Sequence, residues 1–419
     1  MNRIFYVWLV LGCLLTGTLS AQDSLLFELR GLVVDATTGS RLPDVQVHVK
    51  GSALSSMTNS DGRFSLKLRS VPEQLVLSGI GYSNRVLGRA AFEAYFAQDA
   101  GSRQELRIEL QPKLTLLKDV FVYSPDNILE VALKQIDQNF PQTPQSYEAF
   151  YRETIKKRNN YVSVGEAVVS LYKGGYVESL TRSDMVSVRK GRSLMSQRAK
   201  DTVSVHVLGG PTEALSLDLV KNRELFLTPE VLRLYSLEIE TPQTINNRPQ
   251  SVIAFRPCYT SPDPMFTGRI YIDFATLTFT RIEYNMDMSD PDKATNAILA
   301  RKPLGMRFRT KGFEVVMNYH YDGALSHLQY MRTTYRFDCD WKKRGFATRY
   351  EAVSEMLVTD ILPEAVRPSR KEAFRASEVL AKQLSDFADE DFWADYNILL
   401  PSESLEHAFR RLKKTYVTK

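Results

Sequence analysis

The chain is 419 residues long, which is more than one domain usually holds and predicts two or three. Hydrophobic residues make up 43% of it and charged residues 25%, a composition that excludes collagenous, low-complexity and disordered chains. The 54 basic and 49 acidic residues leave a net charge of +5, so the surface is mixed and nucleic-acid binding is not expected. Three cysteines and five histidines supply little for a metal site, and we expect neither a metal nor a cofactor.

The N-terminus (1–21) has the pattern of a secretory signal peptide. Arg3 precedes an uncharged, apolar stretch over 4–19, and small residues lead to an expected cleavage site after Ala21. That stretch is shorter than the roughly 20 residues of a membrane-spanning helix, and no later segment approaches such a length. The alternative is lipidation of Cys13, which stands in a partial lipobox but is followed by no polar tether. We expect an exported protein in the periplasm or at the periphery of the outer membrane, without a transmembrane segment after cleavage.

Residues 22–124 have the pattern of short strands separated by turns. Hydrophobic and polar residues alternate over 45–49 and over 64–68, on either side of a turn at 59–62 that ends in glycine. Further short apolar runs follow at spacings of about ten residues, which is typical of an antiparallel sandwich. The sequence therefore predicts an N-terminal β-sandwich.

The same segment resembles a known family. The residues that carry the resemblance are Gly31, Val33, Asp35, Thr38, Gly39, Leu42, Pro43, Val45, Val47, Gly51, Thr58, Asp61, Gly62, Phe64, Ile80, Gly81 and Tyr82. They resemble the carboxypeptidase-regulatory-like domain, which is abundant in exported proteins of Bacteroidota. The resemblance implies a transthyretin-like, Ig-like β-sandwich that is not catalytic and commonly precedes another domain. It implies no peptidase activity here, because none of the five histidines is followed three positions later by the glutamate of a zinc site.

Beyond the sandwich, the sequence predicts a mainly β chain. Residues 125–146 form a connector with an amphipathic helix over 127–140. Residues 147–362 contain several hairpin patterns and predict a large curved antiparallel sheet, open or closed part-way into a half-barrel. Residues 363–419 predict a helical tail.

Within that tail, helical spacing predicts one helix over 370–388 and a last helix that begins near 401. The strand pattern at 266–283 is similar to strands of lipoprotein-carrier-like half-barrels, and that resemblance implies a concave sheet that holds acyl chains. Taken together, the segments after the sandwich resemble an uncharacterised β-rich exported family.

Two groups of residues are candidates for a disulfide and for an anion-binding surface. Cys258 and Cys339 both lie in strand patterns, and an oxidising compartment would let them pair; the alternative is two buried free thiols. The basic side chains could contact lipopolysaccharide phosphates or another anionic surface, or could belong to an ordinary surface hairpin; they are Arg189, Lys190, Arg192, Arg198 and Lys200.

The sequence offers little catalytic material. It has no Gly-x-Ser-x-Gly elbow and no glycine-rich phosphate loop. Asp338 and Asp340 share one face of a strand and would be the acid–base pair of a hydrolase if that face lined a cavity. The spacing of the carboxylates at 287–292 fits a solvated turn better than it fits a calcium-binding loop.

These patterns predict a non-enzymatic exported protein that acts at the cell envelope as a binding or assembly module. Its partners would be other envelope proteins or lipid. The alternatives are a periplasmic carrier that holds a lipid or other apolar ligand in a half-barrel, and a hydrolase that uses Asp338 and Asp340. A cavity within the sheet of residues 147–362 would favour the carrier.

Overall fold

The computed structural model describes residues 27–98, 104–113, 124–177, 184–198, 206–207, 210–301, 305–341, 347–375, 378–386, 392–393 and 396–417. Within them the chain is mainly β-structure, as predicted: an N-terminal β-sandwich, one large sheet that does not close, and a C-terminal helix. Cys13, Ala21 and Lys200 lie outside these residues. No helix in the described part of the chain is long and apolar enough to cross a membrane.

The N-terminal sandwich consists of two small sheets. Its strands are β1 (Phe27–Asp35), β2 (Gln46–Val49), β3 (Ser55–Met57), β4 (Arg63–Leu68), β5 (Gln74–Ser78), β6 (Arg85–Gly88) and β7 (Leu106–Leu110). One sheet has the order β4-β1-β7 and the other β3-β2-β5-β6, and neighbouring strands are antiparallel except β1 and β7. The alternation at 45–49 and 64–68 buries Val47, Phe64 and Leu66 between the sheets, as predicted.

Two further features complete the sandwich core. A helix that the sequence pattern did not predict, α1 (Arg89–Phe96), adds the buried side chains of Phe92 and Tyr95. Gly31 faces the ring of Phe64, and a Cβ at Gly31 would lie 2.3 Å from that ring. Only glycine therefore lets Phe64 fill the core at this point.

The rest of the chain is built on one large sheet. The remaining strands are β8 (Gln145–Lys157), β9 (Asn160–Lys173), β10 (Met185–Met195), β11 (His206–Val207), β12 (Tyr235–Ile245), β13 (Arg248–Pro257), β14 (Phe266–Asp273), β15 (Phe279–Met286), β16 (Leu299–Arg301), β17 (Met306–Tyr321), β18 (Ser326–Trp341), β19 (Thr348–Ile361) and β20 (Ser385–Asp386). The large sheet has the order β12-β13-β14-β15-β17-β18-β19-β8-β9-β10-β20, while β11 pairs with β16. All its neighbours are antiparallel except β10 and β20, and the predicted hairpins are confirmed.

The helices cover the sheet or follow it. They are α2 (Pro125–Lys134), α3 (Ile136–Asn139), α4 (Pro211–Ser216), α5 (Pro229–Leu232), α6 (Pro291–Ile298), α7 (Leu380–Gln383) and α8 (Glu403–Val417). The last helix begins where predicted, after Ser402, whose hydroxyl accepts from the N–H of Leu405 at 3.3 Å.

The predicted helix over 370–388 is wrong. The described residues of that segment contain only the short helix α7 and the strand β20. Ala373 forms a bridge with Ser187, and the N–H of Phe374 donates to Val186 at 2.7 Å, so the segment runs along β10. Docking of Phe374 into the core overrides the helical spacing of its apolar residues.

The two faces of the large sheet have different coverings. Along β8, Tyr151 points to an inner face covered by α2, α3 and the chain around α4, whereas Phe150 points to an outer face. The outer face carries the sandwich, through Met57, and the C-terminal segment, through Trp393. The alternation of a strand thus assigns each side chain of β8 to one face.

Candidate functional site

The inner face of the large sheet encloses a cavity of about 630 Å³. Side chains from β12 and from β8 both line it, although these strands are seven neighbours apart in the sheet. In a flat sheet that separation would be roughly 34 Å, at about 4.8 Å per strand. The sheet is therefore strongly curved, and its concave side faces the cavity.

The walls of the cavity are mainly apolar. From the sheet they include Phe266, Tyr284, Phe313 and Phe337, and from the loop before β14 they include Met265. Residues 210–235, which we call the covering segment, close the concave side. They contribute apolar side chains such as Leu217, Leu219 and Leu234.

A buried ion pair holds the covering segment in place. Asp218 is fully buried, and its Oδ2 lies 3.0 Å from Nζ of Lys173 on β9. The hydroxyls of Tyr176 and Tyr319 donate to the same carboxylate at 3.0 and 2.6 Å. Burial alone would raise the pKa of Asp218, but Lys173 and the hydroxyl donors hold it below its usual value. Because its neighbours Leu217 and Leu219 line the cavity, this cluster fixes one wall.

One carboxyl group stands on the sheet wall of the cavity itself. Glu153 of β8 lines it beside Gly165, and its Oε2 accepts a long hydrogen bond from the Tyr151 hydroxyl, at 3.4 Å. Burial raises the pKa of Glu153 to about 7, with the Tyr151 hydrogen bond acting weakly the other way. At neutral pH this carboxyl is therefore part protonated and part ionised.

Comparison with known proteins assigns the N-terminal sandwich. Residues 29–122 match the family model of the CarboxypepD_reg-like domain. No curated protein matches the chain.

Two solved structures are similar at low levels. A DUF1329 family protein from Desulfovibrio piger is 10% identical, with a TM-score of 0.23, and the match covers 56% of this chain and 92% of that one. MucB, solved in complex with MucA(peri), is 11% identical, with a TM-score of 0.17, and the match covers 58% of this chain and 100% of that one. At these TM-scores neither likeness carries an argument.

The CarboxypepD_reg-like domain packs on the outer face, away from the cavity. The Ser55 hydroxyl donates to the carbonyl of Val358 at 2.8 Å, and the rings of His48 and His320 lie 4.7 Å apart between centroids. Burial, and next the repulsion from His320, lowers the pKa of His48 to about 4. Both rings are neutral at pH 7 and pack as part of this interface.

The structure corrects the predicted disulfide, because both cysteines are free thiols. Cys258 is exposed just after β13, whereas Cys339 lies on β18 and packs against the aromatic rings of Phe308 and Phe337. These strands are four neighbours apart, and a disulfide needs Cα atoms within about 7 Å. Burial raises the pKa of Cys339 to about 12, so its thiol stays protonated.

The predicted basic surface is largely engaged inside the protein. Arg192 pairs with the buried Glu166 at 3.0 Å, and its guanidinium lies 5.1 Å from the ring centroid of Trp393. Nζ of Lys190 lies 4.4 Å from the ring centroid of Phe392. These two side chains fasten the C-terminal segment to β10 instead of forming a free cationic patch.

The two ends of the basic run differ from its middle. Arg189 lies 3.7 Å from Glu148 and remains partly exposed, and Arg198 is exposed beyond the end of β10. Lys200 lies outside the described residues. The structure therefore brings the predicted five cations into no single described surface.

The candidate hydrolase pair does not lie in the cavity. Phe337 lines the cavity, so strand alternation directs Asp338 and Asp340 to the outer face. Asp338 lies 3.7 Å from Lys311 and 3.9 Å from Arg349, in an ordinary cross-strand charge cluster. Asp338 and Asp340 could act as a hydrolase pair only if they lined a shared cavity, and they do not line this one.

The carboxylates at 287–292 act as turn and cap groups. Asp287 accepts from the N–H of Ser289 at 2.9 Å, and Asp290 accepts from the N–H of Lys293 at 3.1 Å at the start of α6. In the described ranges, no group of three or more His, Cys, Asp or Glu side chains could hold a metal ion.

Sequence reasoning missed Glu153 and Asp218. A signal for Glu153 existed, because it continues the alternation of Tyr147, Ala149 and Tyr151 on the buried face of β8. Asp218 likewise interrupts the apolar run 214–220. An acidic residue at a core position indicates either a buried partner or a site. Asp218 has the buried partner Lys173, and Glu153 lies in the candidate site.

Proposed function

We propose that this chain is a non-enzymatic binding protein of the cell envelope whose ligand is an apolar chain held in the cavity of the curved sheet. The cavity is the observation that carries the proposal. Its volume of about 630 Å³ falls within the range of roughly 300–1,000 Å³ that is typical of small-molecule sites. Its walls offer an apolar ligand aliphatic, aromatic and methionine side chains, with a smaller number of polar groups.

The affinity expected of such a site follows from transfer energies. Burying the methylenes of a dodecyl chain contributes roughly 9 kcal/mol, at about 0.8 kcal/mol each. Loss of translational and rotational freedom opposes this by about 4 kcal/mol or more. The net binding free energy is about 5 kcal/mol at most, which corresponds to a Kd of about 0.2 mM or weaker and is suitable for a carrier that must also release its ligand.

The CarboxypepD_reg-like domain supports the envelope and non-enzymatic parts of the proposal. This domain is regulatory in its family description, and it occupies the outer face, so it leaves the cavity on the inner face unobstructed. The assembly role and the envelope-protein partners stay predictions. The cavity favours the carrier alternative, because a module that only joined other proteins would not need one.

Calorimetric titration with dodecanol tests the proposal. The mature chain should bind one equivalent, with a negative heat-capacity change that reports burial of apolar surface. Ala352→Trp places a large ring in the cavity wall and should abolish binding. Ala324→Trp adds the same ring in the exposed turn before β18 and should leave binding unchanged. Absence of saturable binding to the unsubstituted chain would refute the proposal.

A further inference from the structure

The ionisable groups of the cavity all have the same sign. Five acidic residues line it: Glu153, Glu213, Glu224, Asp263 and Glu378. Among the lining residues that the structure describes, there is no lysine, arginine or histidine. None of the five carboxylates forms an ion pair with another described residue. Glu224 and Asp263 are exposed to solvent, which screens their charges, and Nζ of Lys293 donates to the carbonyl of Ser261 in the lining. The repulsion that an anionic headgroup would meet inside the cavity therefore comes mainly from Glu153 and Glu213.

Glu153, which is half-buried in the cavity wall, differs from the fully buried Asp218 of the inner face. Asp218 is balanced by Lys173 and by two tyrosine hydroxyls. Glu153 has no cation, and within the described part of the chain it accepts one hydrogen bond, the long one from Tyr151. A carboxylate can accept about four, so most of its lone pairs face the cavity without a donor.

A ligand with a hydrogen-bond donor would supply the hydrogen bonds that the Glu153 carboxylate lacks. Burial raises the pKa of Glu153 to about 7, so the described surroundings hold its ionised form poorly. A protonated amine beside it would supply both a positive charge and up to three N–H donors, and would favour the ionised form. A hydroxyl would supply one donor without charge, and a carboxylate or phosphate would supply repulsion.

We propose that the ligand of this cavity is a cationic amphiphile: its alkyl chain lies along the apolar walls and its protonated amine bonds to the carboxylate of Glu153. This inference rests on the proposed function, because it names the ligand class for the same cavity. Glu213 of the covering segment, which is half-buried, adds to this preference, whereas Glu224 and Asp263 are exposed to solvent and contribute little. Glu153 acts as the specificity-determining residue, and the apolar walls contribute affinity for any chain of suitable length.

Three ligands of equal chain length separate the possibilities: dodecylamine, dodecanol and dodecyl sulfate, each titrated calorimetrically below its micelle concentration near neutral pH. The amine should bind about tenfold more tightly than the alcohol, as expected for one charge-assisted contact, and the sulfate about tenfold more weakly. Sulfate binding equal to or tighter than amine binding would overturn the inference while leaving the proposed function intact. Failure of all three to bind would refute both.

A matched pair of variants assigns the preference to one side chain. Glu153→Gln keeps the shape and removes the charge, so the amine should lose most of its advantage while dodecanol affinity stays within about twofold. Glu230→Gln removes an equal charge from an exposed position of α5 that does not line the cavity, and it should change neither affinity. An amine preference that survives in Glu153→Gln would overturn the assignment. The comparison of ligands on the unsubstituted chain stands whether or not this variant folds.

Discussion

The covering segment depends on the buried ion pair between Lys173 and Asp218, and replacing Asp218 by Asn tests this directly. Asparagine keeps the shape of the side chain but presents one acceptor and two N–H groups to a site built of donors. Nζ of Lys173 then retains only Asp184, at 3.5 Å, as a carboxylate partner among the described residues. The hydroxyls of Tyr176 and Tyr319 lose a charged acceptor.

The magnitude follows from what remains buried. Removing one partner of a buried ion pair typically costs about 3–5 kcal/mol, because the other charge is left without compensation. Asp184 still compensates Lys173 in part, so we expect about 3 kcal/mol for Asp218→Asn. That is a large fraction of the roughly 5–15 kcal/mol that stabilises an ordinary domain. Leu217 and Leu219 should then detach from the cavity, and ligand affinity should fall with stability.

Urea unfolding followed by tryptophan fluorescence measures the loss, and hydrogen exchange locates it. The double variant with Lys173→Met should lose at least about 1 kcal/mol less than the sum of the two single losses, because both single variants already lose the contact between Lys173 and Asp218. Asp184 also loses Lys173 in the double variant, so some destabilisation remains. Glu238→Gln breaks an exposed pair with Arg256 and should cost less than about 1 kcal/mol. The reasoning is refuted if Asp218→Asn costs no more than this control, or if the double variant shows no coupling.

Three further outcomes follow from the structure. The pKa of His48 is lowered to about 4, so the unfolded chain binds the proton first and stability falls by about 3 kcal/mol as the pH drops from about 6.5 to 4. His48→Gln should flatten this acid limb in urea unfolding, and an unchanged limb would contradict the interface. The pKa of Glu153 is raised to about 7, so the unfolded chain ionises first and the protein without ligand loses about 3 kcal/mol as the pH rises from about 4.5 to 7. Glu153→Gln should be more stable than the unsubstituted chain near pH 8 and equal to it near pH 4, and equal stability at both pH values would count against a carboxyl with a raised pKa. Gly31→Ala should lower the free energy of unfolding by about 1–3 kcal/mol, because the added Cβ meets a core ring of the sandwich. In the control Gly88→Ala, the added Cβ meets no atom within 4 Å and the loss should be smaller; similar losses in both variants would contradict the packing.

Local patterns predicted the strands well because turn chemistry and alternation are local. The hairpin of β8 and β9 turns at Arg158, whose positive φ of 57° suits a tight turn, and Asn159 and Asn160 beside it are residues that favour turns. The motif of the CarboxypepD_reg-like domain worked for a related reason, since Gly31 and Phe64 each have a fixed packing role within one small core.

The features that decide function were not local. The cavity forms because the sheet curves until distant strands face one another. Local sequence patterns do not predict that curvature. The basic run looked like a free surface because its partners, Glu166 and Trp393, lie far away along the chain. The predicted disulfide does not form because Cys258 and Cys339 are not on neighbouring strands. The two separate strand patterns in the sequence do not show which strands are neighbours.

The central claim is that the concave side of the sheet holds an apolar ligand. The most direct measurement is the anomalous scattering of bromine in crystals of the protein grown with ω-bromododecanol. The account predicts a bromine peak inside the cavity, within contact distance of walls such as Phe313 and Phe337. The account would be contradicted if the cavity held no ligand density, whether bromine was found on the outer face or nowhere in the crystal.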